Sequence, residues 1–267
     1  MFSHFTLGSN DLNRSRRFYD PLFQTLGYSL LYSEDDAYLM YGRKDEEFPH
    51  IFISRPFDGL PATWSNGFHI AFNSADSETV DRFHSTALAH GGFDEGGPGL
   101  RFQYAEDYYG AYIRDPDGNK LQVVCYQQGR SSGYTGIDIS HITLGHTDLL
   151  KARKFYGAVF DILGYVDKPE EGDDTSCGFA YPDEELPVVY IQQPFDGRPA
   201  SWGNGTHTAF HAPTRVAVQA FHTAALANGG TDDGAPGLRP HYSANYYACY
   251  VLDPFGNKLQ AVCRKPA

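Results

Sequence analysis

The chain has 267 residues and a formal net charge of −12, a length that suits one large domain or two of about 130 residues. The acid excess argues against gripping phosphate backbones, which needs clustered Lys and Arg, so no nucleic-acid partner is expected. No apolar run reaches the roughly 18 residues of a membrane span, and MFSHFTLGSN lacks the basic and apolar regions of a signal peptide, so the expectation is a cytoplasmic protein that engages no membrane.

Taken in chain order, residues 2–8 alternate as a strand. Asn10 or Asp11 is placed to cap a helix whose apolar positions Phe18, Leu22 and Leu26 recur every four residues, with Gly27 to stop it. Strand-like runs follow at 28–33, 37–42, 50–55 and 68–73. Asp76 is placed to cap a second helix carrying Val80, Phe83, Ala87 and Leu88, closed by Gly91-Gly92. Strands near 101–105, 109–114 and 119–126 complete this half, the last two joined by the turn Asp115-Pro-Asp-Gly-Asn119.

The same blocks then return. SHFTLGSNDLNRSRRFYDPLFQTLGY (3–28) recurs as SHITLGHTDLLKARKFYGAVFDILGY (140–165), and RPFDGLPATWSNGFHIAF (55–72) as QPFDGRPASWGNGTHTAF (193–210). LRFQYAEDYYGAYIRDPDGNKLQVVC (100–125) recurs as LRPHYSANYYACYVLDPFGNKLQAVC (238–263). A period this long repeats a whole domain, not a solenoid unit. The expected organisation is one domain over 1–128, a Gly- and Ser-rich linker over 129–138 and a second domain over 139–267. Each copy reads as strand, helix and three strands, twice, giving an α+β chain of four βαβββ units.

Strand side chains alternate faces. Phe5 and Leu7 turn to the helices, so His4 and Thr6 oppose them. Phe68, Ile70 and Phe72 place His69 on the other face, and Leu121, Val123 and Cys125 do the same for Gln122. The second copy repeats the pattern with His141, His207 and Gln260. Two imidazoles and an amide therefore leave three strands on one face, in both copies.

The first strand with its His followed by Leu-Gly, the helix ending FY…LGY, the mid-domain strand entered by Gly-x-His, and the Asp-Pro-x-Gly-Asn hairpin with a polar residue three positions on together resemble the vicinal oxygen chelate superfamily. This group includes glyoxalase I, extradiol dioxygenases and bleomycin-resistance proteins. The resemblance covers nearly the whole chain, twice. It implies two tandem glyoxalase-like domains whose mixed sheets curl around a cavity. It also implies a divalent metal (Fe, Mn, Ni or Zn) held by a His on the first strand, a His on the fifth and a Glu on the eighth. His4, His69 and Gln122, with His141, His207 and Gln260, occupy those positions. The family's Glu is Gln in both copies, and the fourth strands IFIS and VYIQ offer no carboxylate. An amide oxygen ligates without charge, so weaker metal affinity is expected and no base at that position.

Sites are expected to close within each copy, because a linker of about ten residues permits either pairing and self-closure needs no exchange. Tyr108 and Tyr246 head paired tyrosines, one of which faces the cavity to donate to a substrate oxygen or to form an aromatic wall. His241, present only in the second copy, is a further candidate acid or base. Arg101 and Arg239 are candidates to hold a carboxylate or a loop. Trp64 and Trp202 read as lid or edge-packing residues, and Phe57 and Phe195, in Pro-Phe-Asp-Gly turns, as cavity rim. His84 and His222 read as helix packing residues. Cys125 and Cys263 read as buried inert thiols, and Cys125, Cys177, Cys249 and Cys263 form no Cys-x-x-Cys pair.

Two functions fit. One is a metal-dependent lyase, isomerase or dioxygenase that chelates vicinal oxygens of a small substrate. The other is a metal-free ligand-binding or resistance protein with an aromatic cavity. Either takes a small molecule and is a monomer or homodimer.

Overall fold

The computed structural model describes residues 2–34, 36–44, 48–126, 139–169 and 174–266. The expected linker over 129–138 lies outside the described residues. The first copy runs β1 (Phe2–Gly8), α1 (Leu12–Gln24), β2 (Ser29–Glu34), β3 (Tyr38–Gly42), β4 (Ile51–Ser54), then β5 (His69–Asn73), α2 (Ser77–Ala89), β6 (Phe93–Leu100), β7 (Tyr108–Arg114) and β8 (Lys120–Tyr126). The second runs β9 (Ile139–Gly145), α3 (Leu149–Leu163), β10 (Val166–Asp167), β11 (Ser176–Ala180), β12 (Val189–Gln192), then β13 (His207–His211), α4 (Arg215–Ala227), β14 (Thr231–Leu238), β15 (Tyr247–Leu252) and β16 (Lys258–Cys263). This is the βαβββ unit four times over, an α+β fold of two tandem domains. Among the described residues no helix is long and apolar enough to cross a membrane.

The helices start where side chains cap them. Asp11 accepts the backbone N–H of Arg14, Asp148 that of Lys151, Asp76 that of Thr79, and Thr214 that of Ala217. Asn10, the other candidate cap, instead bridges Ala62 and Asp117. α3 ends on Gly164 at φ +84°, a left-handed turn that glycine enters without a Cβ penalty. α1 buries Phe18, Tyr19, Leu22 and Phe23, and the Phe23 ring meets Tyr41 at 5.0 Å and Phe72 at 5.6 Å. In α3, Phe160 repeats this against Phe179 and Phe210, both at 5.1 Å.

The Asp-Pro-x-Gly-Asn hairpins do more than turn the chain. Buried Asp115 accepts from the Tyr19 hydroxyl of α1 at 2.6 Å and from Asn119 Nδ2 at 2.8 Å, and the same Nδ2 reaches Gly8 O at 3.0 Å. Tyr156, Asp253, Asn257 and Gly145 O repeat the network. Helix, hairpin and first-strand end are thereby tied through one carboxylate.

The strands form two open, mixed eight-stranded sheets of order β14-β15-β16-β13-β1-β4-β3-β2 and β10-β11-β12-β9-β5-β8-β7-β6. β13 pairs with β16, and β5 with β8, in parallel. Two compact units result. One holds Met1–Phe5, Thr143–Trp202 and Thr206–Ala267, the other Thr6–Ile142 and Gly203–Gly205. The sixth strand differs from expectation. It is Phe93–Leu100, not 101–105, and its sequence FDEGGPGL reads as loop. Glycines let the ladder to β7 absorb register shifts at Asp94/Gly96 and Gly96/Gly99 while backbone pairing continues, and the chain turns at Arg101–Tyr104. The four cysteines are buried thiols outside any disulfide.

Candidate functional site

Each compact unit holds one histidine pair. In the unit containing Met1–Phe5, β13 follows β1 in the strand order and β16 follows β13. His4 Nε2 and His207 Nε2 lie 3.4 Å apart, their rings nearly perpendicular. Ser3 Oγ reaches His4 Nδ1 at 2.9 Å and accepts from Arg264 at 2.7 Å. Arg264 also stacks over the Tyr246 ring at 5.2 Å. Gln260 is fully buried and donates its Nε2 hydrogen to the Tyr246 hydroxyl at 2.8 Å. Its Oε1 is turned to His207 yet makes no hydrogen bond of normal geometry. The Tyr250 ring lies 6.0 Å from His207.

In the unit containing Thr6–Ile142, His69 and His141 pair with ring centroids 5.6 Å apart. Ser140 Oγ reaches His141 Nδ1 at 3.0 Å. Here Gln122 is engaged at both ends: His69 Nε2 lies 3.1 Å from its Oε1, and its Nε2 donates to the Tyr108 hydroxyl. Tyr108 packs edge-on against Tyr126, which occupies the place of Arg264.

These pairings correct the expectation of self-closed sites: His4 meets His207, not His69. Alternation fixes which face a side chain takes but not which strand lies beside it. The two copies are alike enough in sequence that either pairing satisfies their patterns.

Burial dominates the electrostatics. It holds the His207 ring down to about 3, assisted by the charge of Lys258 and opposed by Gln260. It holds His141 down to about 4 and, with the neighbouring His141, His69 well below the ordinary histidine value. All three imidazoles are neutral at physiological pH. Burial pushes Tyr246 up to about 12, the Arg264 charge pulling the other way, and raises Tyr108 well above its usual value.

The remaining candidates are dispersed. Tyr109 and Tyr247 turn to the helices, where Tyr109 donates to Asp81 and Tyr247 accepts from Gln219, leaving Tyr108 and Tyr246 on the histidine face. His241 is exposed and rests on Tyr242, ring centroids 4.2 Å apart. Arg101 donates to Gly97 O and Arg239 to Ala235 O, so each guanidinium braces its glycine-rich strand. Trp64 packs on the hairpin turn at Gly118 under Arg114, and Trp202 on Gly256. Phe57 and Phe195 stand fully exposed at their turn tips. His84 and His222 pair with Asp94 and Asp232, each at 2.8 Å. Sequence reasoning passed over Ser3, Ser140, Tyr250 and Arg264. The serines precede histidine in both copies of the repeat, and Arg264 against Tyr126 is a difference between copies. Both signals were present in the sequence.

Among the described residues no group of three or more His, Cys, Asp or Glu is arranged to hold a metal ion. The donor set of two neutral imidazoles and an amide oxygen nevertheless fits a divalent cation at His4, His207 and Gln260. Two nitrogens each about 2.1 Å from a tetrahedral ion stand about 3.4 Å apart, the separation of the two Nε2 atoms. The buried Gln260 Oε1 has no other hydrogen-bond partner.

The family model for the Glyoxalase/Bleomycin resistance protein/Dioxygenase superfamily matches residues 1–123 and again 138–261. The chain belongs to this superfamily. Glyoxalase I from Zea mays is similar in structure over 98% of this chain and 92% of its own, with a TM-score of 0.70 and 21% identity. This is a likeness of fold. A glyoxalase/bleomycin resistance protein from Albidiferax ferrireducens T118 is 36% identical over 45% of this chain and 93% of its own, with a TM-score of 0.40. The Mn(II)-bound glyoxalase from Novosphingobium aromaticivorans is 16% identical over 98% of this chain and 80% of its own, with a TM-score of 0.38. Comparison with curated proteins finds no match.

Proposed function

We propose that this superfamily member is a metal-dependent enzyme, a lyase, isomerase or dioxygenase, acting on a small substrate with two vicinal oxygens. His4, His207 and Gln260 would hold the ion. The observation that carries the reading is the approach of His4 Nε2 and His207 Nε2 to 3.4 Å, with the Gln260 amide oxygen turned to His207. When bound, a divalent cation supplies Lewis-acid polarisation of substrate oxygens.

The chain's own residues provide the rest. Burial keeps His207 neutral, so its nitrogen lone pair is not lost to a proton at physiological pH. Ser3 fixes the His4 ring through Nδ1, an outer contact of the kind that orients a ligand imidazole. Gln260 carries no negative charge and cannot abstract a proton, so acid–base work falls elsewhere. Tyr246, held protonated by burial, is positioned beside Gln260 to donate a hydrogen bond to a substrate oxygen.

The alternative is metal-free ligand binding. It is favoured at the other histidine pair, where Gln122, His69 and Tyr108 satisfy one another. Metal analysis of protein purified without chelator or added metal tests the proposal. Stoichiometric Fe, Mn, Ni or Zn supports the enzyme, whereas metal-free protein that also fails to take up these ions supports the binding module.

A further inference from the structure

The two centres are built from the same residue types. Each has two histidines, a serine on the first histidine's Nδ1, a buried glutamine and a tyrosine hydroxyl held by that glutamine. Their hydrogen bonds differ. Gln122 spends both ends of its amide, its oxygen on His69 and its nitrogen on Tyr108. Because that nitrogen donates to Tyr108, the oxygen is the end facing His69, so His69 carries its proton on Nε2. Gln260 places its nitrogen on Tyr246, and its fully buried oxygen, turned to His207, makes no hydrogen bond of normal geometry. A buried carbonyl without a well-placed donor is costly, and an occupant that donates to it relieves that cost.

We infer that the centres are not equivalent: the His4–His207 centre receives the ligand, through the Gln260 amide oxygen that lacks a well-formed hydrogen bond, and the His69–His141 centre is sealed by its own Gln122 and serves the fold. The inference rests on reading the His-His-Gln face as a ligand site, as proposed above. The occupant must bring an electropositive group to Gln260 Oε1. Two sources share that chemistry: a divalent cation, and the O–H of a hydroxylated substrate. A second difference between the copies points the same way. The guanidinium of Arg264 stacks on Tyr246 and bonds Ser3, and so touches both arms of the receiving centre. Tyr126 fills that place against Tyr108 with an uncharged ring. Arg264 also favours ionisation of the Tyr246 hydroxyl.

The test is two-bond ¹H–¹⁵N spectroscopy of chelator-treated, histidine-labelled full-length chain, with Zn²⁺ alone and catechol alone as probes. The expected spectrum has His69 protonated on Nε2, with that hydrogen in slow exchange. Zn²⁺ then shifts His4 and His207 and leaves His69 and His141 unmoved. If Zn²⁺ shifts nothing and catechol shifts only His4 and His207, the inference stands with an O–H donor, and the metal reading fails alone. If either probe moves His69 and His141 as much as His4 and His207, or if neither probe moves His4 and His207, the inference is overturned. The variants give an independent arm. Gln260→Leu is expected to abolish the response with an unchanged or raised melting temperature. Gln122→Leu is expected to lower the melting temperature and keep the response. The reverse pattern overturns the assignment. Should Gln122→Leu fail to fold, the wild-type spectra decide.

Discussion

Tyr19 gives its hydroxyl hydrogen to Asp115 at 2.6 Å, and Tyr156 does the same for Asp253, also at 2.6 Å. Burial raises Asp115 to about 6, while Asn119 and Tyr19 oppose the rise by bonding the carboxylate. Tyr19→Phe removes one of these donors from a buried carboxylate. It is expected to cost about 1–3 kcal/mol of stability and to push Asp115 higher still. Denaturant unfolding and carbonyl NMR titration of Asp115 check this. The sign is definite. A carboxyl raised in the folded state contributes stability below about pH 4 that is lost as pH rises through about 6. A variant with unchanged stability would mean that the hairpin network is not a structural tie.

His207 works in the opposite pH direction. Its folded value is about 3, well below the ordinary value of 6.5. The unfolded chain therefore takes up the proton first as pH falls. Stability from this group is present above pH 6.5 and drains away between 6.5 and about 3. His207→Asn is expected to flatten the stability profile across that window, read by urea unfolding at several pH values. An equally steep profile in the variant would assign the acid sensitivity to other groups.

The glutamines give a charge test. Gln260→Glu places an ionisable oxygen where the amide oxygen faces His207. It is expected to tighten Mn²⁺ or Zn²⁺ binding by at least about tenfold, about 1.4 kcal/mol. The metal-free variant should melt lower, since it buries a charge. Gln122→Glu is expected to gain much less, because His69 already claims that oxygen. Calorimetric titration of both variants checks the contrast. Equal gains would count against it.

Gly118 provides a packing test away from the site. It sits at φ +92°, and a Cβ there would lie 2.7 Å from Trp64 Cδ1. Gly118→Ala thus combines backbone strain with a clash and is expected to cost about 2–4 kcal/mol. Adding Trp64→Ala should recover the clash but not the strain, leaving about 1 kcal/mol of the Gly118 effect. A double-mutant cycle by thermal unfolding measures the coupling.

Much of this was legible from residue types. Alternation set His4, His69 and Gln122 opposite the apolar residues of their own strands, aspartates before helical periodicity marked the caps, and the repeated blocks gave the four units. Where legibility ended, the physics explains it. β6 hid in FDEGGPGL because ladder bonds belong to the backbone and need no β-forming side chains. The pairing of His4 with His207 was hidden because strand adjacency is a tertiary choice between two near-identical copies. The contrast between Gln122 and Gln260 is invisible to any reading by residue type. It lies in whether one amide oxygen meets its imidazole in hydrogen-bond geometry.

The proposed metal centre lies between the histidines of β1 and β13. Its most direct test is calorimetric titration of chelator-treated protein with Ni²⁺, comparing wild type with His207→Ala and His69→Ala. The account predicts one tight ion per chain in the wild type, kept by His69→Ala and lost by His207→Ala. No tight ion in the wild type, or loss in His69→Ala with retention in His207→Ala, would contradict it.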